Sequence, residues 1–144
     1  MTDAPRILDL GVDDPRLPEM YEVLHALRTE LTFDQLRAVY AEGHPQGLRY
    51  TAVEADGRIV AVAGWRLMAC TTALRRLYVD DLVTDPAVRS SGHGALLLGE
   101  LERRARNAGC TLLTLESGVQ RYDAHRFYFR ERMSIGAYHF AKAL

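Results

Sequence analysis

The amino-acid sequence predicts a single domain of the mixed α/β class that spans residues 1–144. Three observations lead to this prediction. Apolar residues make up 48% of the chain and charged residues 26%, which is typical of a globular domain with a substantial core. Segments with strand periodicity alternate with segments of helical periodicity. Asp56-Gly57, between two strand segments, is a strong signal for a two-residue hairpin.

The chain begins with a predicted strand and helix. Residues 6–10 read as a short strand, and Asp14 followed by Pro15 reads as a helix cap and first helical position. The helical face that follows carries apolar side chains at the required spacing, namely Leu17, Met20, Tyr21, Leu24, Leu27 and Leu31.

A second helix is predicted directly afterwards. Thr32 and Gln35 have the spacing of a capping box, in which each side chain bonds to the other residue's backbone N–H. The helix is therefore expected over residues 33–42, and Gly43 is expected to end it.

Three strands are predicted next, over residues 50–55, 58–68 and 74–84. Strict alternation in the last of them would place its side chains on two faces. One face would carry Tyr78, Asp80, Leu82 and Thr84, and the other Val79, Asp81 and Val83.

The adjacent carboxylates Asp80 and Asp81 are unusual inside a strand, because Asp has low strand propensity and an unpaired buried carboxylate is costly. Two interpretations stay open. The pair could line a cleft and help to remove a proton from a reacting group. Alternatively, each carboxylate could form an ion pair with one of the many arginines, or the strand could lie at an edge.

A small-residue loop follows the strand, after a turn at Pro86, and it opens a helix that is expected to end at Gly109. Backbone N–H groups at a helix N-terminus attract phosphate, and glycines let a phosphate approach the backbone. An ordinary strand-to-helix turn is the alternative. The loop residues are Arg89, Ser90, Ser91, Gly92, His93 and Gly94.

The C-terminal part is predicted to contain a strand over residues 110–117, a loop, a short helix over residues 123–131 and a final strand over residues 134–142.

Two of these segments resemble a known family, the GNAT N-acetyltransferases. The run from Thr84 to Gly94 fits the pattern Val/Thr-x-Pro-x-x-Arg-x-x-Gly-x-Gly of that family's acetyl-CoA loop. The run from Ala124 to Tyr128 looks like the family's short helix with a Phe/Leu-Tyr pair. The resemblance implies a central, largely antiparallel sheet with helices on both faces and a splay between the fourth and fifth strands. It also implies acetyl transfer from acetyl-CoA to an amine by direct attack.

The resemblance further implies which residues bind acetyl-CoA as co-substrate. Pantetheine would bond to the strand backbone in the slot, and the pyrophosphate would lie on the loop. Arg121 stands where the family usually has Asn, and Arg132-Met133 where it usually has Gly-Phe. The implied binding residues are Leu82, Val83, Thr84, Arg89, Ser90, Ser91, Gly92, His93, Gly94 and Arg121.

Tyr128 is the general acid that the resemblance implies, since a phenol keeps its proton at pH 7 and can donate it to the departing thiolate. Asp80, Asp81 or a water held by them would be the base. The alternative is that Phe127 and Tyr128 are only packing residues of a short helix.

The acceptor is expected to be a small-molecule or peptide amine that the sequence does not identify. The helix pair near the N-terminus borders the acceptor site in the family, so four residues there are candidates. Apolar spacing favours a core role for the two tyrosines. The candidates are Tyr21, Glu22, His25 and Tyr40.

Composition argues against several classes of protein. The 18 basic residues are dispersed among 19 acidic ones, which is not the pattern of a nucleic-acid patch. No apolar run or leader pattern points to a membrane, so a cytoplasmic protein is expected. Cys70 and Cys110 have no ligand spacing, so no metal is expected.

Two rival functions remain open. One is a catalytically silent CoA-binding sensor or partner domain, and the other is a structural, dimer-forming domain whose loop binds nothing.

Overall fold

The structure is a computed structural model that describes residues 4–89 and 91–144. The chain divides into two compact units, the first ending at Thr114 and the second beginning at Leu115. Its helices and strands, in chain order, are β1 (Arg6–Leu10), α1 (Leu17–His25), α2 (Phe33–Gly43), β2 (Arg49–Ala55), β3 (Arg58–Cys70), β4 (Leu74–Thr84), α3 (His93–Asn107), β5 (Leu112–Leu115) and α4 (Tyr122–Arg130).

The five strands form one sheet in the order β1-β2-β3-β4-β5. The first four strands pair antiparallel with their neighbours, whereas β5 runs parallel to β4. The backbone N–H of Thr111 donates to the carbonyl of Arg75 at 3.1 Å, so β5 begins beside the start of β4. Because β5 has only four residues, it runs along the first half of β4 and not along its second half. The predicted mixed, mostly antiparallel sheet is confirmed.

Helices cover both faces of this sheet in the first unit. The face that carries Tyr50 and Val62 packs against α1 and α2, and Tyr40 and Leu24 are fully buried in this core. The opposite face packs against α3. There the indole N–H of Trp65 donates to Thr51 at 2.9 Å. The sheet is thus buried on both sides, as the sequence predicts.

Several local predictions are confirmed within the first unit. β4 has the predicted bounds. Asp56 and Gly57 adopt φ angles of 51° and 78°, the left-handed conformation that a tight hairpin turn requires. Thr32 and Gln35 form both bonds of the capping box.

The predicted bounds of the first helix and of β5 are wrong. The first helix begins at Leu17 and not after Asp14, because the Asp14 carboxylate accepts the N–H of Arg16 at 2.8 Å and holds a separate turn before the helix. It ends at His25, so Leu27 and Leu31 lie beyond it. β5 covers Leu112–Leu115 and not residues 110–117, since Cys110 still bonds back to the carbonyl of Ala105 at the end of α3.

The second unit contains α4 and a C-terminal segment. Helix α4 ends in a turn in which Arg132 adopts a φ of 66° and Met133 N–H donates to the carbonyl of Tyr128 at 3.0 Å. The predicted final strand over residues 134–142 is wrong, because this segment has no regular secondary structure. Tyr138 and Phe140 are almost fully exposed, and side chains with strand propensity do not form a strand without a paired neighbour.

Candidate active site

A β-bulge interrupts the alternation of β4 at the acidic pair. Gly64 of β3 pairs with Asp81, but the next residue, Trp65, pairs with Val79, so Asp80 has no partner on β3. An extra residue of this kind turns the following side chains to the other face. Val79 and Asp81 therefore lie on opposite faces, and the strict alternation predicted for this strand is wrong.

The bulge brings both carboxylates of the pair to the α1–α2 side, where each binds one arginine. The guanidinium of Arg66 donates to Asp80 through Nε at 2.9 Å and Nη2 at 3.3 Å. The guanidinium of Arg28 donates to Asp81 through Nε at 2.7 Å and to the backbone carbonyl of Asp80 through Nη2 at 3.0 Å. The ion-pair interpretation of the two aspartates is thus correct, and it leaves open whether one of them also acts on a proton.

Asp81 is the more deeply buried of the two carboxylates. Its side chain is 11% exposed, against 27% for Asp80. Burial raises the pKa of Asp81, and the neighbouring Asp80 charge raises it further, although Arg28 and Arg66 act in the opposite direction. Burial together with both aspartates also raises the pKa of Tyr50, so this phenol keeps its proton at neutral pH.

Gly64 makes room for this arrangement. A Cβ at Gly64 would lie 2.8 Å from Cε1 of Tyr50 and 3.0 Å from Oδ2 of Asp81, both closer than side chains pack. Only a residue without a side chain allows the Tyr50 ring and the Asp81 carboxylate to lie together over this point of β3.

The small-residue loop leads into the N-terminus of α3. The Asp85 carboxylate accepts the N–H of Ala87 at 2.9 Å and shapes the turn after β4. Gly92 precedes the helix with a φ of 82°, and a Cβ there would meet no atom within 4 Å. Arg89 and Ser91 lie in the loop before α3, whereas His93 and Gly94, which were predicted to belong to the loop, are the first two residues of α3. Ser90 lies outside the described residues.

The strand residues expected to bind pantetheine lie at the end of β4. Leu82, Val83 and Thr84 pair with β3 along one edge, through Ala63, Val62 and Ala61 respectively. Since β5 runs along the first half of β4, it is not the neighbour of these three residues on the other edge.

Tyr128 lies on α4 in the second unit and is partly buried. Burial raises the pKa of its phenol, and the positive charge of Arg121, the residue before the same helix, acts in the opposite direction. The Tyr128 hydroxyl is therefore protonated at neutral pH, as a proton donor must be.

The family is decided by the extent of its match, since the model of the acetyltransferase (GNAT) family matches residues 14–133 of this chain. The chain belongs to the GNAT acetyltransferase family. This match runs from the turn before α1 to the end of the α4 turn and so includes both segments in which the sequence resembles the family.

Relatives of this GNAT protein agree with that assignment. It is 35% identical to the uncharacterized N-acetyltransferase YhdJ of Bacillus subtilis over 111 residues, which cover 76% of this chain and 78% of the relative. It is 41% identical to the aminoalkylphosphonate N-acetyltransferase of Salmonella typhimurium over 66 residues, which cover 46% of this chain and 43% of that protein. The chain is an N-acetyltransferase.

A solved structure shows the same fold. The aminoglycoside N-acetyltransferase AAC(6')-Iy in complex with CoA superposes with a TM-score of 0.84. The superposition covers 98% of this chain and 95% of that one, at 14% sequence identity. The superposition supports a shared GNAT fold, but at this low sequence identity it does not support a shared acceptor.

The acceptor-site candidates of this GNAT protein have different surroundings. Tyr40 is fully buried and donates to the carbonyl of Leu10 at 2.5 Å, which confirms its core role. Tyr21 donates to the carbonyl of Leu31 at 2.7 Å and its ring packs 5.3 Å from that of His25. Glu22 is exposed.

Sequence reasoning missed four residues around the acidic pair, namely Arg28, Tyr50, Gly64 and Arg66. These residues are far apart along the chain, so the sequence does not show that they lie close together, and only the excess of arginine over lysine suggested that partners for the aspartates exist.

Within residues 4–89 and 91–144, no group of three or more His, Cys, Asp or Glu side chains could hold a metal ion. No helix in that part of the chain is both long and apolar enough to cross a membrane.

Proposed function

We propose that this GNAT protein transfers the acetyl group of acetyl-CoA to a small amine by direct attack of the amine on the thioester. Asp81 is the base in this proposal, acting directly or through a water that it holds, and Tyr128 is the general acid. The observation that carries the proposal is the buried Asp81 carboxylate beside the β4 bulge, whose pKa is raised by that burial.

Asp81 is a better base than Asp80 for a physical reason. A base must hold a proton, and a raised pKa makes a carboxylate hold it more strongly. Asp80 receives two hydrogen bonds from the guanidinium of Arg66, which favour its charged form. Asp81 receives one bond from Arg28 and is more shielded from water, so its charge is less well stabilised.

The loop and the end of β4 support binding of the co-substrate. When bound, acetyl-CoA supplies the acyl group as a thioester. Open space next to Gly92 leaves the first N–H groups of α3 accessible to a phosphate, and the Arg89 guanidinium adds positive charge. The edge of Leu82–Thr84 that does not pair with β3 lies beyond β5, and its backbone groups would bind an extended group such as pantetheine.

The chemistry of Tyr128 supports its role as acid. When the amine nitrogen bonds to the acyl carbon, the bond to sulfur breaks and the sulfur gains the electron pair. A protonated phenol within hydrogen-bond reach can donate its proton to that sulfur. The raised pKa of Tyr128 keeps the proton available at neutral pH.

A small amine is the acceptor class that the relatives favour. The Salmonella protein is named for an aminoalkylphosphonate, and its match covers almost half of this chain. A compact acceptor also suits the crowded surroundings of Asp81, where two arginines and the buried Tyr50 ring lie close to the carboxylate.

Two measurements test the proposal together. CoA at 100 times its dissociation constant is expected to stabilise the fold by about 2.7 kcal/mol, read as a rise in melting temperature. With acetyl-CoA and a panel of amines, thiol release is expected for at least one acceptor.

The two rival functions give different results. A rise in melting temperature without thiol release from any amine would identify a silent CoA-binding domain. The absence of any shift with CoA would identify a structural domain and overturn the proposal.

A further inference from the structure

The acidic pair belongs to a cluster of four charges that balance one another. Arg28 comes from the segment between α1 and α2, Arg66 from β3, and Asp80 and Asp81 from the bulge in β4. Each arginine pairs with one aspartate at 2.7 to 2.9 Å. The phenol of Tyr50, which also faces the cluster, is neutral because its pKa is raised.

The two arginines of the cluster differ in exposure and in bonding. The Arg66 side chain is 21% exposed and uses Nε and Nη2 on the same carboxylate. The Arg28 side chain is 50% exposed, and it divides its bonds between the Asp81 carboxylate and the Asp80 carbonyl. Arg66 therefore fixes Asp80, whereas Arg28 presents a half-exposed cation over Asp81.

Charge balance restricts which amine can approach Asp81. A simple ammonium would add one positive charge to a neutral cluster and would have to compete with Arg28 for the carboxylate. An acceptor that carries an acidic group as well adds no net positive charge, because its carboxylate, phosphonate or phosphate at least offsets the ammonium. Its amine can take the place of Arg28 at Asp81 while its acidic group becomes the new partner of the guanidinium.

We infer that Arg28 is a specificity-determining residue that selects acceptors with a carboxylate, phosphonate or phosphate group close to the amine. The inference rests on the acceptor site proposed above, since it requires the amine to reach Asp81. The planar guanidinium suits this task, because two of its N–H groups can bind two oxygens of one acidic group.

The test compares acceptors that differ only by their acidic group. Values of kcat/KM are measured by thiol release for 2-aminoethylphosphonate against propylamine and for β-alanine against β-alaninamide. For each pair, kcat/KM for the acidic acceptor is divided by kcat/KM for the neutral one. This ratio in the wild type is then divided by the same ratio in Arg28→Gln. This quotient cancels differences in amine basicity between the acceptors.

The quotient is expected to be roughly 10 to 100, the factor that loss of one charge-assisted hydrogen bond gives. Arg28→Lys keeps the charge and is expected to retain part of the preference. Arg37→Gln is the matched control, because Arg37 is an exposed arginine on α2 whose guanidinium lies 6.0 Å from the Phe33 ring, and its loss should leave the ratio of acidic to neutral acceptor unchanged. A quotient near 1, or a wild type that prefers the neutral acceptors, overturns the inference.

A binding measurement separates failure of this inference from failure of the proposed function. If no amine releases thiol, the proposed reaction is wrong, and calorimetric titration of CoA-loaded protein with 2-aminoethylphosphonate decides the inference. Binding to the wild type that weakens at least tenfold in Arg28→Gln supports the role of Arg28. Equal affinity in the two proteins, or no binding to the wild type, contradicts it.

Discussion

Gly64 and Asp81 face each other across β3 and β4, and the absence of a side chain at Gly64 leaves the space that the Asp81 carboxylate occupies. A methyl group at Gly64 would come within 3.0 Å of Oδ2 of Asp81 and 2.8 Å of the Tyr50 ring. Tyr50 is almost fully buried in the close-packed core, so a shift of its ring would displace other core side chains.

Gly64→Ala should therefore lower the free energy of unfolding by about 1–3 kcal/mol, the usual cost of overpacking a core, and should reduce turnover by displacing Asp81. Urea unfolding and thiol release measure the two effects. Gly99→Ala in α3 is the control, since a Cβ there meets no atom within 4 Å and should stabilise the helix by up to about 1 kcal/mol. A Gly64→Ala protein as stable and active as the wild type would refute the packing argument.

Replacement of Asp81 by Asn should change the reaction rate and its pH dependence more than replacement of Asp80 by Asn. Because burial raises the pKa of Asp81, the wild-type rate should fall as the pH drops through this raised pKa and Asp81 becomes protonated. Asp81→Asn should lower kcat by roughly 10²–10⁴ and should remove this fall in rate at acidic pH, while CoA affinity is kept. Asp80→Asn should keep this fall in rate but move it to lower pH, because the variant removes the Asp80 charge that helps to raise the pKa of Asp81. Identical pH–rate profiles for wild type and Asp81→Asn would leave Asp81 with a structural role only.

Tyr128→Phe removes one oxygen and keeps the ring, so CoA affinity and packing should change little. Turnover should fall at least about tenfold, the low side of general-acid contributions, because a thiolate leaves tolerably without help. Single-turnover kinetics ensure that the chemical step is measured. A wild-type rate would assign the proton to water or another group, and an unfolded protein would mean that Tyr128 serves the core.

Gly92→Val should abolish CoA binding, because its side chain would project into the open space before α3 where a phosphate is proposed to lie. Arg89→Ala should weaken binding less, since the backbone donors remain. The control is Gly109→Val at the other end of α3, where φ is 77° and a Cβ also meets nothing within 4 Å. Both valine variants should lose stability from the strained left-handed backbone, but only Gly92→Val should lose affinity in calorimetry. Equal affinities in the two variants would contradict the loop assignment.

Glu100 should contribute to stability in a pH-dependent way. The guanidinium groups of Arg103 and Arg104 on α3 lower the pKa of Glu100 from 4.5 to about 2. Because the pKa of Glu100 is lower in the folded than in the unfolded state, its charge stabilises the fold at pH values above the unfolded-state pKa. This stabilisation is lost as the pH falls from about 4.5 to about 2. Glu100→Gln should therefore destabilise the protein at pH 7, by about 1 kcal/mol because screening weakens partly exposed pairs, and should match the wild type only at a pH below the lowered pKa.

Urea unfolding at several pH values measures this difference. Glu102→Gln is the control, because the contact of Glu102 with Arg106 is looser, at 3.8 Å. A difference between wild type and Glu100→Gln that does not change with pH would contradict the ion-pair explanation.

Sequence alone identified the parts of this protein that depend on neighbouring residues. Two examples are the capping box of Thr32 and Gln35 and the hairpin turn at Asp56-Gly57. Each joins residues no more than three positions apart, so a short stretch of sequence is enough to predict it. The bounds of β4 and the pattern from Thr84 to Gly94 were predictable for the same reason, and the pattern led to the family.

Tertiary structure decided which side chains meet. The bulge exists only because β4 pairs with β3, and it places Asp80 and Asp81 on the same face, whereas strict alternation placed them on opposite faces. Arg28 lies 53 positions from Asp81, and no local pattern selects it among the other arginines. The segment over residues 134–142 has the β-branched and aromatic side chains of a strand but is not one, since a strand is made by the hydrogen bonds of a neighbour and not by its own sequence.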